Sequence, residues 1–224
     1  MITRRETALS AAALLLAAGA AGASVSYVDS FREAFAQEGA LLISDLTEGT
    51  GPWLANPDTG GVYAYQDSDI QTGLFSVTFD GTVGFRPPQE RNNSLAVSQL
   101  FVTFDVVGQA TLFNWSINAL LFNGTVNDGG LFAAFDLAEL NGDGVLLTLR
   151  EWTAGGARPG PVLGIGGPVT LDPGRYVLSI VVNGAAQGDS DAWVSMDALF
   201  AEVPAPGAAS LLVIAGVAGA RRRR

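Results

Sequence analysis

The chain has 224 residues and a formal charge of −10, from 12 arginines, no lysine and 22 acidic residues. It contains no His and no Cys. That excludes a Ser-His-Asp triad, an imidazole base and a thiolate nucleophile, removes the two usual zinc ligands, and leaves the fold without disulfides, so it must rest on its apolar core.

Met1 to Ala23 reads as a secretory signal peptide. Arg4 and Arg5 form a positive n-region, Ala8 to Ala21 an apolar run, and Ala21-Gly22-Ala23 a small-x-small cleavage site with Ser24 as the mature start. Thr3-Arg4-Arg5 hints at a twin-arginine signal, but Glu6-Thr7-Ala8 departs from that pattern, so the general secretory route is expected. A lipoprotein anchor would need a Cys after the signal, and none is present. Ser24 to Val203 leaves 180 residues, enough for one domain with a sizeable core. That stretch holds six arginines and 21 acidic residues, a charge of −15. Such a surface repels phosphate backbones and anionic lipid heads, so no nucleic-acid partner is expected. It would also suit a saline habitat, where self-repulsion is screened.

Along this domain the pattern is strand-like. Only Asp29 to Glu38 is expected to form a short helix. Strand runs are expected at Leu74 to Phe79, Val83 to Phe85, Leu100 to Val107, Ala110 to Leu121, Leu131 to Leu137, Val145 to Trp152 and Ala192 to Val203. The clearest is Arg175 to Val182, where period two puts Tyr176, Leu178, Ile180 and Val182 on one face after the turn Asp172-Pro173-Gly174. Asp80-Gly81 and Asn141-Gly142-Asp143-Gly144 read as hairpin turns, and Asn123-Gly124 and Asn127 to Gly130 as further breaks. Thr153 to Gly167, dense in Gly and Pro, reads as a long surface loop that could border a binding face. Short strands, Gly and Asn turns and no fixed repeat predict an all-β fold: an antiparallel β-sandwich or jelly roll, flanked by the apolar signal helix and a short C-terminal apolar helix.

Carboxylates are the acid-base groups that remain, so catalysis would need a glycosidase-like pair. Asp136-Leu137-Ala138-Glu139 comes nearest, but position 134 is Ala, where a laminarinase-type Glu-x-Asp-x-x-Glu motif needs its nucleophile. Glu151-Trp152 sets one carboxylate beside one ring. No catalytic residue is assigned and no enzyme is expected. Calcium is the one cofactor the acidic clusters invite. Asp67-Ser68-Asp69, Asp189-Ser190-Asp191 and Asn141 to Gly144 bring oxygen ligands together, with Asp189 and Asp191 the first choice, although polar turns at strand ends are the favoured reading of all three. Of four tryptophans, Trp115 and Trp193 lie in apolar runs and are expected to be buried, while Trp53 and Trp152 are placed to stack on a sugar. Asn-x-Ser/Thr sites stand at Asn92, Asn114 and Asn123 and are given no functional weight.

The C-terminus is built from Val203-Pro204-Ala205-Pro206-Gly207, the apolar run Ala208 to Ala220, and Arg221, Arg222, Arg223 and Arg224. At ~1.5 Å per residue a helix over that run reaches about 20 Å, short of the ~30 Å hydrocarbon core, and the terminal arginines would stay cytoplasmic. This order of parts resembles the PEP-CTERM sorting signal of Gram-negative bacteria, with Ala205 where that family has Glu. The resemblance covers about a tenth of the chain. It implies recognition by an exosortase-type membrane protease, transient membrane anchoring through the tail, and delivery to the cell envelope, outer surface or exopolysaccharide matrix. The expected role is structural or adhesive. The alternative is a carbohydrate-binding or calcium-binding β-sandwich module.

Overall fold

The structure, a computed structural model, describes residues 24–87, 93–125, 129–140, 145–148, 152–153, 162–188 and 190–204. The expected signal helix and C-terminal apolar helix lie outside them. Two antiparallel sheets pack as a β-sandwich. One, sheet A, runs in the order β10 (Trp152–Thr153), β8 (Gly130–Glu139), β12 (Gly174–Gln187), β6 (Asn93–Val107), β1 (Ser24–Glu38) and β2 (Leu41–Glu48), with β9 (Val145–Thr148) also paired to β8. The other, sheet B, runs β11 (Val162–Leu171), β7 (Thr111–Thr125), β13 (Asp191–Glu202), β5 (Ser76–Phe85), β4 (Val62–Gln71) and β3 (Gly51–Ala55).

Alternation sets the faces. On β12, Tyr176, Leu178, Ile180 and Val182 all point into the core, as their spacing predicts, and Asp172-Pro173 precedes the strand. On β6, Leu100, Val102, Phe104 and Val106 do the same. The core has two unlike ends. At one, Phe104 and Tyr176 from sheet A meet Phe113 and Phe200 from sheet B, and Phe75 closes the cluster; Phe113 and Phe200 stack at 4.7 Å and Phe75 and Phe104 lie 4.8 Å apart. At the other, the buried residues of β1 and of the middle of β4 are small or polar: Ala34, Ala36, Ala64, Gln66 and Ser68, with Ser98 from β6, and Val62 and Ile70 flank them on β4. There Ser98 Oγ donates to Gln66 Oε1 (3.2 Å) and Gln66 Nε2 donates to Ser68 Oγ (3.3 Å), so these three side chains pair with one another.

Four expectations are corrected. Asp29 to Glu38 is not a helix; it is the later part of β1, paired along its length to β6 and from Phe31 onward also to β2. A bulge at Val28 switches the inward residues from Val25 and Tyr27 to Ser30, Arg32, Ala34 and Ala36. The larger Phe31 and Phe35 then face outward, so their spacing of four carries no helical meaning. Asp80-Gly81 is not a turn but the middle of β5, which is continuous from Ser76 to Phe85. Gly81 is required there because a Cβ would collide with the inward Phe79 ring and crowd Ser98 Oγ. Asn123-Gly124 lies within β7. The segment Thr153 to Gly167 is only partly loop: Thr153 belongs to β10, and Val162 onward forms edge strand β11 against β7, with a bulge between Val162 and Ile165. The hairpin expected at Asn141 to Gly144 lies outside the described residues, although β8 and β9, which flank it, pair antiparallel.

Because Phe104 is fully buried and touches rings from both sheets, Phe104→Ala should lower unfolding free energy by about 3–5 kcal/mol. Leu199→Ala, on the outer face of β13, should change it by no more than about 0.5 kcal/mol. Urea titration followed by tryptophan fluorescence measures both.

Candidate functional site

Two parts of the surface gather functional chemistry. The first is the corner where the chain leaves sheet A for sheet B. Gly49 and Gly51 take positive φ (95° and 87°), a conformation that glycine adopts without steric cost, and so turn their carbonyls toward β1. Arg32, buried on β1, fills the space: Nη2 donates to the Gly49 carbonyl (2.8 Å) and Nη1 to the Gly51 carbonyl (2.8 Å). Ser30 Oγ also donates to the Gly49 carbonyl (2.7 Å) and accepts from its N–H (3.1 Å). Burial lowers the Arg32 pKa, opposed by Tyr27 and Asp69. Trp53 on β3 lies half-buried against the core, with the Arg32 guanidinium 5.8 Å from its ring centroid. Its ring is thus part of this clamp.

The second is the outer face of sheet B. The register sets Asp67 on β4 opposite Asp80 on β5, Asp80 opposite Asp197 on β13, and Asp197 opposite Asn118 on β7. Three carboxylates therefore stand in one row across three adjacent strands, all exposed. Two rows along, Tyr63, Trp193 and Phe122 form an aromatic line: Phe122 and Trp193 stack at 6.1 Å, and the Arg86 guanidinium sits 4.1 Å from the Tyr63 ring centroid while Asp58 holds Arg86 at 2.9 Å. At the β7–β11 border an open hollow of ≈ 380 Å³ is lined by Asn114, Ser116 and Asn118 and by Gly166 and Gly167. The stretch read as a loop that could border a binding face thus supplies one wall of this hollow as strand.

The residues singled out in the sequence are not brought together. Trp53 is on an edge of sheet B, whereas Trp152 is on β10, opposite Ala133, at the far lateral edge of sheet A. Trp115 and Trp193, expected to be buried, are half-buried. Asp191 is exposed at the start of β13, Asp189 lies outside the described residues, and Asp67-Ser68-Asp69 is strand rather than turn. Among the described residues no three His, Cys, Asp or Glu side chains are grouped to hold a metal ion. Asp136 stands on β8 opposite Ser179, and Glu139 opposite Tyr176, whose hydroxyl donates to the Asp172 carbonyl (2.7 Å). Ser24 opens β1 opposite Val107, and Val203 and Pro204 follow β13. Ala21, Ala23, Glu151, and the rest of the tail motif from Ala205, Pro206 and Gly207 to the arginines, lie outside the described residues. No known protein family, curated protein or solved structure matches the chain.

The acidic row, which no sequence motif marked, makes stability depend on pH. Burial raises the Asp80 pKa first, followed by the charges of Asp197 and Asp67 and a hydrogen bond with Asp197. The folded state then holds this proton more tightly than the unfolded chain. Its like-charge cost is therefore present at neutral pH and is relieved as pH falls through the raised folded value toward the ordinary one, about 3.9. Like charges directly opposite cost on the order of 0.2–1 kcal/mol. Asp80→Asn should accordingly raise the melting temperature at pH 7 by about 1–3 °C. Calorimetry across pH should find that gain gone below about pH 4.

Proposed function

We propose that this protein is an exported β-sandwich of a Gram-negative cell, passed by its C-terminal tail to an exosortase-type protease and left at the outer surface or in the exopolysaccharide matrix. Its role there is structural or adhesive, without catalysis. The observation that carries this reading is where the last described strand, β13, ends at Glu202. The Val203 N–H donates to the Leu112 carbonyl (2.8 Å), and the next residue, Pro204, is exposed. The Pro204-Ala205-Pro206 motif therefore begins immediately after the last fold hydrogen bond described in the chain, where a membrane protease can reach it without unfolding the sandwich. The acidic domain and the terminal arginines agree with an exported domain and a tail retained on the cytoplasmic side. The sandwich is taken as a jelly-roll variant: the paired strands β7·β13 of sheet B continue into the paired strands β8·β12 of sheet A, β7 leading into β8 and β12 into β13, so this two-stranded ribbon folds over from one sheet to the other.

Intact mass measurement on protein released from its native host tests the delivery. The expected product begins at Ser24 and ends beside the Pro204-Ala205-Pro206 motif; a product that still ends at Arg224 sinks the sorting reading and leaves a tail anchor.

A second reading, a carbohydrate-binding module, is favoured by the hollow between β7 and β11. Its Asn114, Ser116 and Asn118 side chains can exchange hydrogen bonds with hydroxyls, and its glycines leave room for a neutral, polar chain beside an acidic row. On this reading, electrophoresis through gels containing neutral polysaccharide should show retardation that the double variant Asn114→Ala/Asn118→Ala reduces at least tenfold in affinity. Equal migration of both proteins with and without polysaccharide removes it.

A further inference from the structure

Four lateral edges close the two sheets, and three of them are built against pairing with another strand. Among the described residues the β10 and β9 edge consists of strands of two and four residues. The β3 edge has five residues and includes Pro52. The β11 edge carries a bulge, Pro168 and the glycines 164, 166 and 167. Short strands, prolines and bulges are the usual means by which exposed edges avoid joining other chains.

The fourth edge, β2, has none of these. It is eight residues long without Pro, Gly or a bulge, and it pairs regularly with β1 from Leu41 to Glu48. Its apolar side chains are open to solvent on both faces: Leu41 at 51%, Leu42 at 56%, Ile43 at 38% and Leu46 at 53%. Isolated exposed leucines are ordinary, but a continuous apolar run on an otherwise undefended edge strand is a template for strand addition.

We infer that β2 is the edge through which two copies of this chain join, antiparallel and about a two-fold axis at Ser44. An isologous contact requires a self-complementary surface, and the sequence of β2 is one. Centred on Ser44, the register sets Leu42 against Leu46 of the second copy and Leu46 against its Leu42, with serine meeting serine between them. On the other face Ile43 meets Asp45 and Leu41 meets Thr47, so no two carboxylates stand opposite. Shifting the centre by one residue to Asp45 would oppose two aspartates, which disfavours that register. The joined edge turns two sheets into one continuous sheet of double width. Because both copies are acidic, association strengthens as salt screens their repulsion, opposite to the response of a charge-driven partner.

The absence of cysteine makes the test specific. Residues directly opposite in an antiparallel pair have Cα atoms about 4.5–5.5 Å apart, inside the span of about 4.4–6.8 Å that a disulfide bridges. In the full-length chain under mild oxidation, Ser44→Cys should give a covalent dimer at least tenfold faster than Leu199→Cys, a comparably open position on the outer face of sheet B. Its yield should rise with added salt, and adding Leu42→Lys and Leu46→Lys should cut the rate at least tenfold with an unchanged melting temperature. Equal cross-linking of Ser44→Cys and Leu199→Cys would overturn the inference, as would a Ser44→Cys dimer indifferent to the two lysines.

Discussion

The contact on which the rest of this structure depends is the ring cluster that ties the two sheets together at one end. Phe104 and Tyr176 belong to sheet A, Phe113 and Phe200 to sheet B, and Phe75 comes from the β4–β5 connection. In a chain without cysteine no covalent link can hold the sheets in register, so the apolar layer must do it. Each ring buries about 150–250 Å², and each well-placed pair adds about 0.5–1.5 kcal/mol beyond that area. These rings share neighbours, so the losses from single truncations would not add independently. The cluster also lies beside the start of the tail: Phe200 is two residues before Glu202, whose N–H donates to the Phe75 carbonyl (2.8 Å). The fold is thus anchored most firmly close to the point where the sorting motif leaves it.

The opposite end of the core is held by a different principle. Between β1 and β4 no ring cluster fills the space, and hydrogen bonds supply order: Ser98 to Gln66, Gln66 to Ser68, and Arg32 to two turned carbonyls. A buried cation is costly unless its protons are satisfied, and here the turn at Gly49 and Gly51, both at positive φ, supplies acceptors to Nη2 and Nη1 while Nε has no partner among the described residues. The arrangement binds the β2–β3 crossover to the body of the sandwich and fixes where β2 ends. Beyond it, β2 carries four large apolar side chains that are open on both faces.

This division explains what could be read from the sequence. At the ring end large apolar residues face inward and polar ones outward, so β12, β6 and β13 show the expected period of two, and the sandwich class followed from them. At the Arg32 end the pattern inverts. On β1 the inward residues are Ser30, Arg32, Ala34 and Ala36 while Phe31 and Phe35 face out; on β4 the inward residues are Ala64, Gln66 and Ser68 while Tyr63 and Tyr65 face out. Local hydropathy there carries the wrong sign, and helix-forming residues in β1 are overridden by pairing on both sides. Strand β2 shows no alternation because neither face is covered. The acidic row was hidden for another reason: Asp67, Asp80 and Asp197 are far apart in sequence, and only the register makes them neighbours. The tryptophans were legible as residues but not as places, since Trp53 was readable as exposed while its surroundings depend on Arg32, twenty-one positions earlier in the chain.

Charge and apolar surface are kept on different parts of the molecule, and that separation limits how copies can approach. The outer face of sheet B presents Asp67, Asp80 and Asp197 in one line, so two such faces cannot stack without opposing carboxylates. Burial would worsen that repulsion, because the Asp80 pKa is already raised, first by partial desolvation and then by the charges of Asp197 and Asp67. The edges at β3, β11 and β10 are shortened, bulged or interrupted by proline. What remains is lateral approach along β2 in sheet A, where Asp45 and Glu48 are the only charges on the strand and backbone groups supply direction. Because the acidic row belongs to the other sheet, that approach leaves the charged face and the hollow beside it open to solvent, so joining copies edge to edge would not cover the surface best suited to a polar ligand.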